Sequence, residues 1–188
     1  SDKPFEQTHL MIGLEAPAYH QPDYFTAQIL AGALGGGMSS RLFQEVREKR
    51  GLCYSVHARY STDRDFGLVS ASVGTQPDRA QESLDVLVSE MQRLSTPEGK
   101  VTPEEFRRAV AGLKSGLVFS GESTDARASA LAHDLFRLGR PRSLAEIAAE
   151  IDAVTLDRLN EYVASRQMGR VTVQTLGPEA LTVPASIR

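Results

Sequence analysis

The sequence predicts an α+β fold: one mostly antiparallel or mixed sheet, with helices packed mainly on one face. Three observations lead there. Strand-like and helix-like segments are partly segregated along the chain, in the order strand, two helices, two strands, several helices, strand. The strands alternate apolar and polar residues, which leaves one apolar face to be covered. The long stretch before the last strand carries repeated helix-start signals. At 188 residues the chain can bury a core without disulfides or metal staples. Ordinary domain sizes make 1–188 a single domain with its core at about 8–177.

The first strand is expected over 8–15, where Leu10, Ile12 and Leu14 share one face. Pro17 and Pro22 interrupt the chain after this strand, and Asp23 is the expected N-cap of a helix over 24–34 with Phe25, Ile29 and Ala33 at four-residue spacing. Gly35, Gly36 and Gly37 end that helix, and Ser39 or Ser40 opens a second, short one that stops before Gly51. The second strand, 52–61, places Leu52, Tyr54, Val56, Ala58 and Tyr60 on one face and Cys53, Ser55, His57 and Arg59 on the other. A polar turn at Asp63, Arg64 and Asp65 returns the chain as a strand over 66–74.

The next hundred residues are mostly helical. Pro77 fits a first helical position, and Ala80, Leu84, Leu87, Met91 and Leu94 make an apolar stripe. Thr102, Pro103, Glu104 and Glu105 form a capping box with proline at the first position, and Phe106, Val110, Leu113 and Leu117 mark that helix's buried face. Gly116 and Gly121 suggest a break or kink. Ala128, Leu131, Leu135 and Leu138 mark the next helix, Ser143 and Glu146 a further capping box, and Thr155 the start of a last helix. The final strand spans 171–176, and the tail after Gly177 reads as extended and loosely held.

Composition excludes several classes of function. Lys plus Arg number 21 against 24 Asp plus Glu, a net charge of −3, which argues against a nucleic-acid partner. No uncharged apolar run approaches the roughly 18 residues of a membrane span, and no basic-then-apolar leader opens the chain. One cysteine, Cys53, forbids an internal disulfide and fits a reducing compartment. The expectation is a bacterial, cytoplasmic protein with no membrane contact.

No set of residues here assembles a catalytic centre by spacing alone. His9, His20, His57 and His133 are never closer than eleven residues, so neither HExxH nor HxxEH occurs and no metal ligand set is expected. Cys53 and His57 are four residues apart on a strand, about 13 Å, too far for a nucleophile and its base. The run Gly35-Gly36-Gly37 followed by a helix start could hold an anion or a peptide carbonyl, but it also suits a helix end joined to the next cap. Arg41, Glu45 and Lys49 read as a solvated, ion-paired face. Arg47 and Tyr54 lie seven apart across a helix-to-strand turn. Such a guanidinium and phenol could grip a peptide carbonyl. Equally, Arg47 could lie along the surface and Tyr54 sit in the core.

The segment LGGGMSSRLFQEVREKRGLCYSVHARY, followed by DFGLVSASVGT, resembles the C-terminal, non-catalytic domain of the pitrilysin/insulinase family of zinc metallopeptidases. Bacterial homologues of mitochondrial processing peptidase give the nearest likeness. It runs from Thr8 to about Gly177, with its specific part at 35–75. The resemblance implies one α+β half of a clamshell around a peptide. The other half would carry an inverted HxxEH zinc site with a downstream glutamate. This half would supply an arginine and a tyrosine seven apart, matched by Arg47 and Tyr54, to hold the substrate backbone near the zinc. The longer glycine-rich loop of processing peptidases is reduced here to Gly35–Gly37. Zinc is thus expected in the missing catalytic half and not in this chain. That half, in the same chain or a separate subunit, is the expected partner, with peptide as substrate and a homodimer as the alternative assembly. The family also contains respiratory-complex core subunits that do no proteolysis. The alternative function is therefore that of an inactive structural or partner-binding subunit. The chain alone should hold no stoichiometric zinc after a chelator wash and cleave no peptide; tight zinc in metal analysis, or metal-dependent cleavage by the pure chain, would overturn this.

Overall fold

The computed structural model describes residues 6–166 and 171–187; residues 1–5, 167–170 and 188 of the expected 1–188 domain lie outside the described residues. Four strands pair in one antiparallel sheet of order β2-β3-β1-β4: β1 Thr8–Ala16, β2 Cys53–Thr62, β3 Gly67–Thr75 and β4 Val171–Leu176. Both inner pairings run without a slip along β1, with Ile12 opposite Ala71 of β3 and Val173 of β4. Period-two alternation then sorts the faces. Leu10, Ile12, Val56, Ala58, Val69, Ala71 and Val73 are buried on one side, while His9, Met11, Arg59 and Gln174 are exposed on the other.

The buried side is covered by α1 (Tyr24–Gly35) and α2 (Ala80–Arg93). The expected stripe of α2 is all in the core, with Ala80, Leu84, Leu87, Met91 and Leu94 almost fully buried. Each large apolar side chain removed from water there contributes about 1.5–3 kcal/mol. A 3-10 turn at Pro77–Arg79 leads into α2, as the proline predicts. The remaining helices are α3 (Pro103–Glu122), α4 (Thr124–Leu138), α5 (Leu144–Asp152) and α6 (Leu156–Arg166). α3 lies outside α1, so Phe106, Val110, Leu113 and Leu117 are only half-buried. Both capping boxes are present: Thr102 with Glu105, and Ser143 with Glu146.

Several sequence expectations are corrected. α3 continues through Gly116 without a break; the break comes after Glu122, beside Gly121. Asp23 does not cap α1 with its side chain; its carboxylate accepts two hydrogen bonds from Arg158 at 3.1 and 2.9 Å. The tail is not loose. Thr182 exchanges two hydrogen bonds with the Gln81 side chain, and Leu181 packs on the core. Of the apolar marks of α4, Ala128, Leu131 and Leu135 are exposed and Leu138 is half-buried; Phe136 beside them is exposed too, as are Val118 and Phe119 at the end of α3. The deep anchor of α4 is Asp134. It accepts hydrogen bonds from the Arg142 guanidinium and backbone N–H, all at 3.0 Å, and from the Tyr19 hydroxyl at 2.5 Å.

Arg41 is another buried charge. It does not join a solvated face with Glu45 and Lys49, although those two do pair at 2.6 Å. Its guanidinium donates to both oxygens of Glu105, at 2.9 and 2.8 Å, and to the carbonyls of Gly99 and Lys100. Burial alone would raise the Glu105 pKa, but the bonds from Arg41 and Thr102 hold it below its ordinary 4.5. A carboxylate with a depressed folded-state pKa stabilises the fold fully above its unfolded value, and that contribution is lost as pH falls through the folded one. Urea stability should therefore decline below about pH 4.5. Glu105→Gln should flatten that decline and cost about 3 kcal/mol at neutral pH, the usual order for leaving a buried charge without its partner.

Candidate functional site

The structure brings Arg47 and Tyr54 together through two departures from regular geometry, one on each side of Gly51. The first is in the short helix. Residues Phe43–Glu48 form a π-helix, in which the Lys49 N–H reaches the Gln44 carbonyl, five residues back. The wider turn breaks the four-residue face expected for Arg41, Glu45 and Lys49. Arg41 turns inward and Arg47 lies over Phe43, 4.8 Å from its ring centroid. Gly51, at φ 59°, then reverses the chain and returns its N–H to the Arg47 carbonyl at 2.9 Å.

The second departure is a β-bulge at the start of β2. Cys53 lies opposite Thr75, but Ser55 is already opposite Gly74, so Tyr54 is the extra residue. From Ser55 onward the alternation is shifted by one. Cys53 therefore falls on the covered side with Thr75, not with Ser55, His57 and Arg59 as the sequence pattern predicts. Tyr54 leaves the side of Val56 and Ala58 and is 80% exposed. The core alternative for Tyr54 is thereby removed. The Arg47 guanidinium carbon sits 5.7 Å from the Tyr54 ring centroid. The nearest carboxylate to Arg47 among the described ion pairs is Glu48, at 3.9 Å. One aromatic hydroxyl and one guanidinium thus face solvent at the rim of the uncovered sheet face. Beside them lies a cavity of about 340 Å³ lined by Gln7, Cys53, Tyr54, Gln76 and Arg79, among others.

Neighbouring groups add little reactivity. Burial pushes the Cys53 thiol up, with Arg47 opposing only in part, so the thiol is not activated. Burial, and then Arg59, lower the His57 pKa. Among the described residues no three His, Cys, Asp or Glu side chains come together as a metal site, so those residues offer no ligand set for zinc. No described helix is long and apolar enough to cross a membrane.

The three glycines separate into different roles. A Cβ on Gly35 would overlap the backbone nitrogen of Ala58, because α1 crosses β2 at that point. A Cβ on Gly36 would come within 2.6 Å of the Gly32 carbonyl, to which the Gly36 N–H donates. Only Gly37 opens onto free space.

The architecture agrees with the comparisons. The model for the peptidase M16 inactive domain matches residues 1–113, and the chain belongs to that family, the pitrilysin/insulinase family of metallopeptidases. It is 32% identical over 185 residues to an uncharacterized zinc protease from Mycobacterium leprae, covering 97% of this chain and 41% of that protein. Among solved structures, a peptidase M16 inactive domain from Pseudomonas fluorescens matches 97% of this chain and 43% of its own, with 21% identity and a TM-score of 0.72. A chain of Complex III2 from Candida albicans matches 94% of this chain and 44% of its own, with 20% identity and a TM-score of 0.80. These two share the fold. The chain thus spans about two fifths of the length of such relatives.

The sequence missed Arg41 and the bulge; the only trace of either was the close succession of Gly51 and an apolar strand. The glycines give a direct check. Gly35→Ala should cost about 3 kcal/mol, since a backbone contact cannot yield cheaply, whereas Gly37→Ala should leave the melting temperature unchanged. Equal effects at the two positions would refute the assignment.

Proposed function

We propose that this chain forms part of the peptide-chamber wall of a zinc-dependent metalloendopeptidase, and that Arg47 and Tyr54 hold the substrate backbone there. The observation that carries it is the bulge. An aromatic residue that simple alternation would bury is instead exposed beside an arginine whose recorded ion pair is a 3.9 Å contact with Glu48. Bulges recur where a side chain must be re-aimed. Arg47 offers a planar fork of donors and Tyr54 one directional hydroxyl, a combination suited to a carbonyl oxygen or the oxyanion it becomes. Activation of water is the chemistry that zinc and a carboxylate in the catalytic half would supply. That half, in the same chain or a separate subunit, is the partner in this proposal, and unfolded or extended peptides are the substrates. A bacterial cytoplasmic setting belongs to the same proposal, in keeping with the mycobacterial relative.

The second reading is an inactive homologue that serves as a structural or partner-binding subunit. Its support is the shared fold with a chain of Complex III2, together with the uncovered apolar side chains of α4. Kinetics of the enzyme that combines this chain with its catalytic half separates the two. A donor aimed at a developing oxyanion is typically worth about 3–4 kcal/mol, or roughly 100- to 1,000-fold in rate. Tyr54→Phe should lower kcat well beyond tenfold without changing the melting temperature, and Arg47→Lys should be damaging because lysine lacks the fork. Wild-type turnover by both well-folded variants would leave the scaffold reading standing.

A further inference from the structure

The uncovered sheet face has a floor and a rim. Along β3 its residues are Ser70, Ser72 and Gly74, and β1 sets Gly13 opposite Ser70. All are small, but Met11 and His9 of β1 stand exposed opposite Ser72 and Gly74, so the low strip lies over β3, between those two side chains and β2. Leu68 leans over Gly13 at one end, close enough that a Cβ there would meet its Cδ1 at 3.2 Å. The edge strand β2 forms the rim, with Ser55, His57 and Arg59 opposite Gly74, Ser72 and Ser70. Arg59 is exposed and has no ion-pair partner among the described residues. The acid on this face, Glu15 of β1, lies opposite Leu68, in a different row and two strands from β2. The rim beside the low floor therefore carries Arg47 at one end and Arg59 further along, with no carboxylate of the sheet face next to Arg59.

We infer that this trough takes an extended peptide bearing an acidic side chain, and that Arg59 selects it; the inference rests on the proposal that Arg47 and Tyr54 hold the peptide backbone. Charge complementarity identifies the occupant. An extended chain along β2 rises by the same roughly 3.3 Å per residue as the strand. Arg59 follows Tyr54 by five positions, one of them taken up by the bulge. The acidic residue should then lie about four to five residues from the carbonyl held at Tyr54.

The test is a titration of the isotope-labelled chain with extended synthetic peptides identical except for one Glu, Gln or Lys, followed by NMR through the amides of His57, Arg59 and Ser72. At low salt the Glu peptide should bind about two- to fivefold more tightly than the Gln peptide, the range for an exposed ion pair. The Lys peptide should bind most weakly. The differences should shrink as salt shortens the screening length. Arg59→Gln should abolish the discrimination with no change in melting temperature. Tyr54→Phe should weaken all three peptides alike. Binding without charge discrimination, or discrimination that survives Arg59→Gln, would overturn the inference while leaving the Arg47–Tyr54 proposal intact. Discrimination that depends on Arg59, with affinities indifferent to Tyr54→Phe, would support the acidic preference and count against the backbone-holding pair. Failure of every peptide to shift any amide of the face would overturn both.

Discussion

The buried contact between Arg41 and Glu105 is the constraint on which the placement of the site depends. Arg41 stands at the entry to the π-helical turn, and Glu105 is the third residue of α3. One carboxylate serves four donors there: it accepts from the Thr102 backbone N–H and hydroxyl, closing the capping box, and takes the Arg41 fork through both oxygens. The same guanidinium ties down the carbonyls of Gly99 and Lys100, which belong to the loop between α2 and α3. A rigid fork with several directed bonds fixes orientation as well as distance. The π-helical turn is thus held against the start of the longest helix, and Arg47 projects from that turn. Such a pair need not add net stability over apolar packing, but four directed bonds from one guanidinium resist alternative geometries.

The rest of the fold is layered around that contact. The sheet, α1 and α2 make the dense core, and α6 completes it with Leu159, Tyr162 and Val163. The outer helices are held differently. α4 is exposed on nearly all sides and is fastened by directed polar contacts around Asp134, Arg142 and Tyr19. Arg137 adds a bond to Asp63 at 3.2 Å and stacks on Tyr19. Polar anchoring of this kind specifies position while leaving the apolar side chains of the helix in solvent. That asymmetry, a closed core on one side and an uncovered sheet on the other, is what exposes the Arg47–Tyr54 rim.

Periodic structure was legible in the sequence, and departures from periodicity were not. All four strands, the α2 stripe and both capping boxes follow from spacing rules, because each rule reflects a contact repeated at a fixed interval. Tyr54 was ambiguous for the same reason. Strict alternation assigns it to the core beside Val56, and only the pairing partner, which the strand's own sequence does not contain, introduces the bulge. Arg41 was misassigned because a four-residue interval implies one face only while the helix keeps 3.6 residues per turn. Gly35 showed its type but not its reason, since the strand it touches lies more than twenty positions away in the chain. Asp23 kept its place at the helix start while its carboxylate went to Arg158, a long-range partner no local rule anticipates.

The two irregularities act in concert. A π-helical turn adds a residue to a helix, and a bulge adds a residue to a strand; each interrupts regular hydrogen bonding. Here they fall on either side of Gly51, in the short stretch from Phe43 to Ser55. Val46 and Leu52 are fully buried on the flanks, and Thr75 secures the Leu52 carbonyl with a 2.5 Å hydrogen bond. The buried residues thus keep their places while the inserted geometry is spent on the residues between and beyond them. Without the bulge, Tyr54 would turn toward the side of Val56 and away from solvent. Without the wider turn, Arg47 would rotate relative to Arg41 and lose its present approach to the Tyr54 ring. Two local irregularities thus meet in one juxtaposition at the rim, and the side chains so placed are a guanidinium and a phenol, both with directed donors.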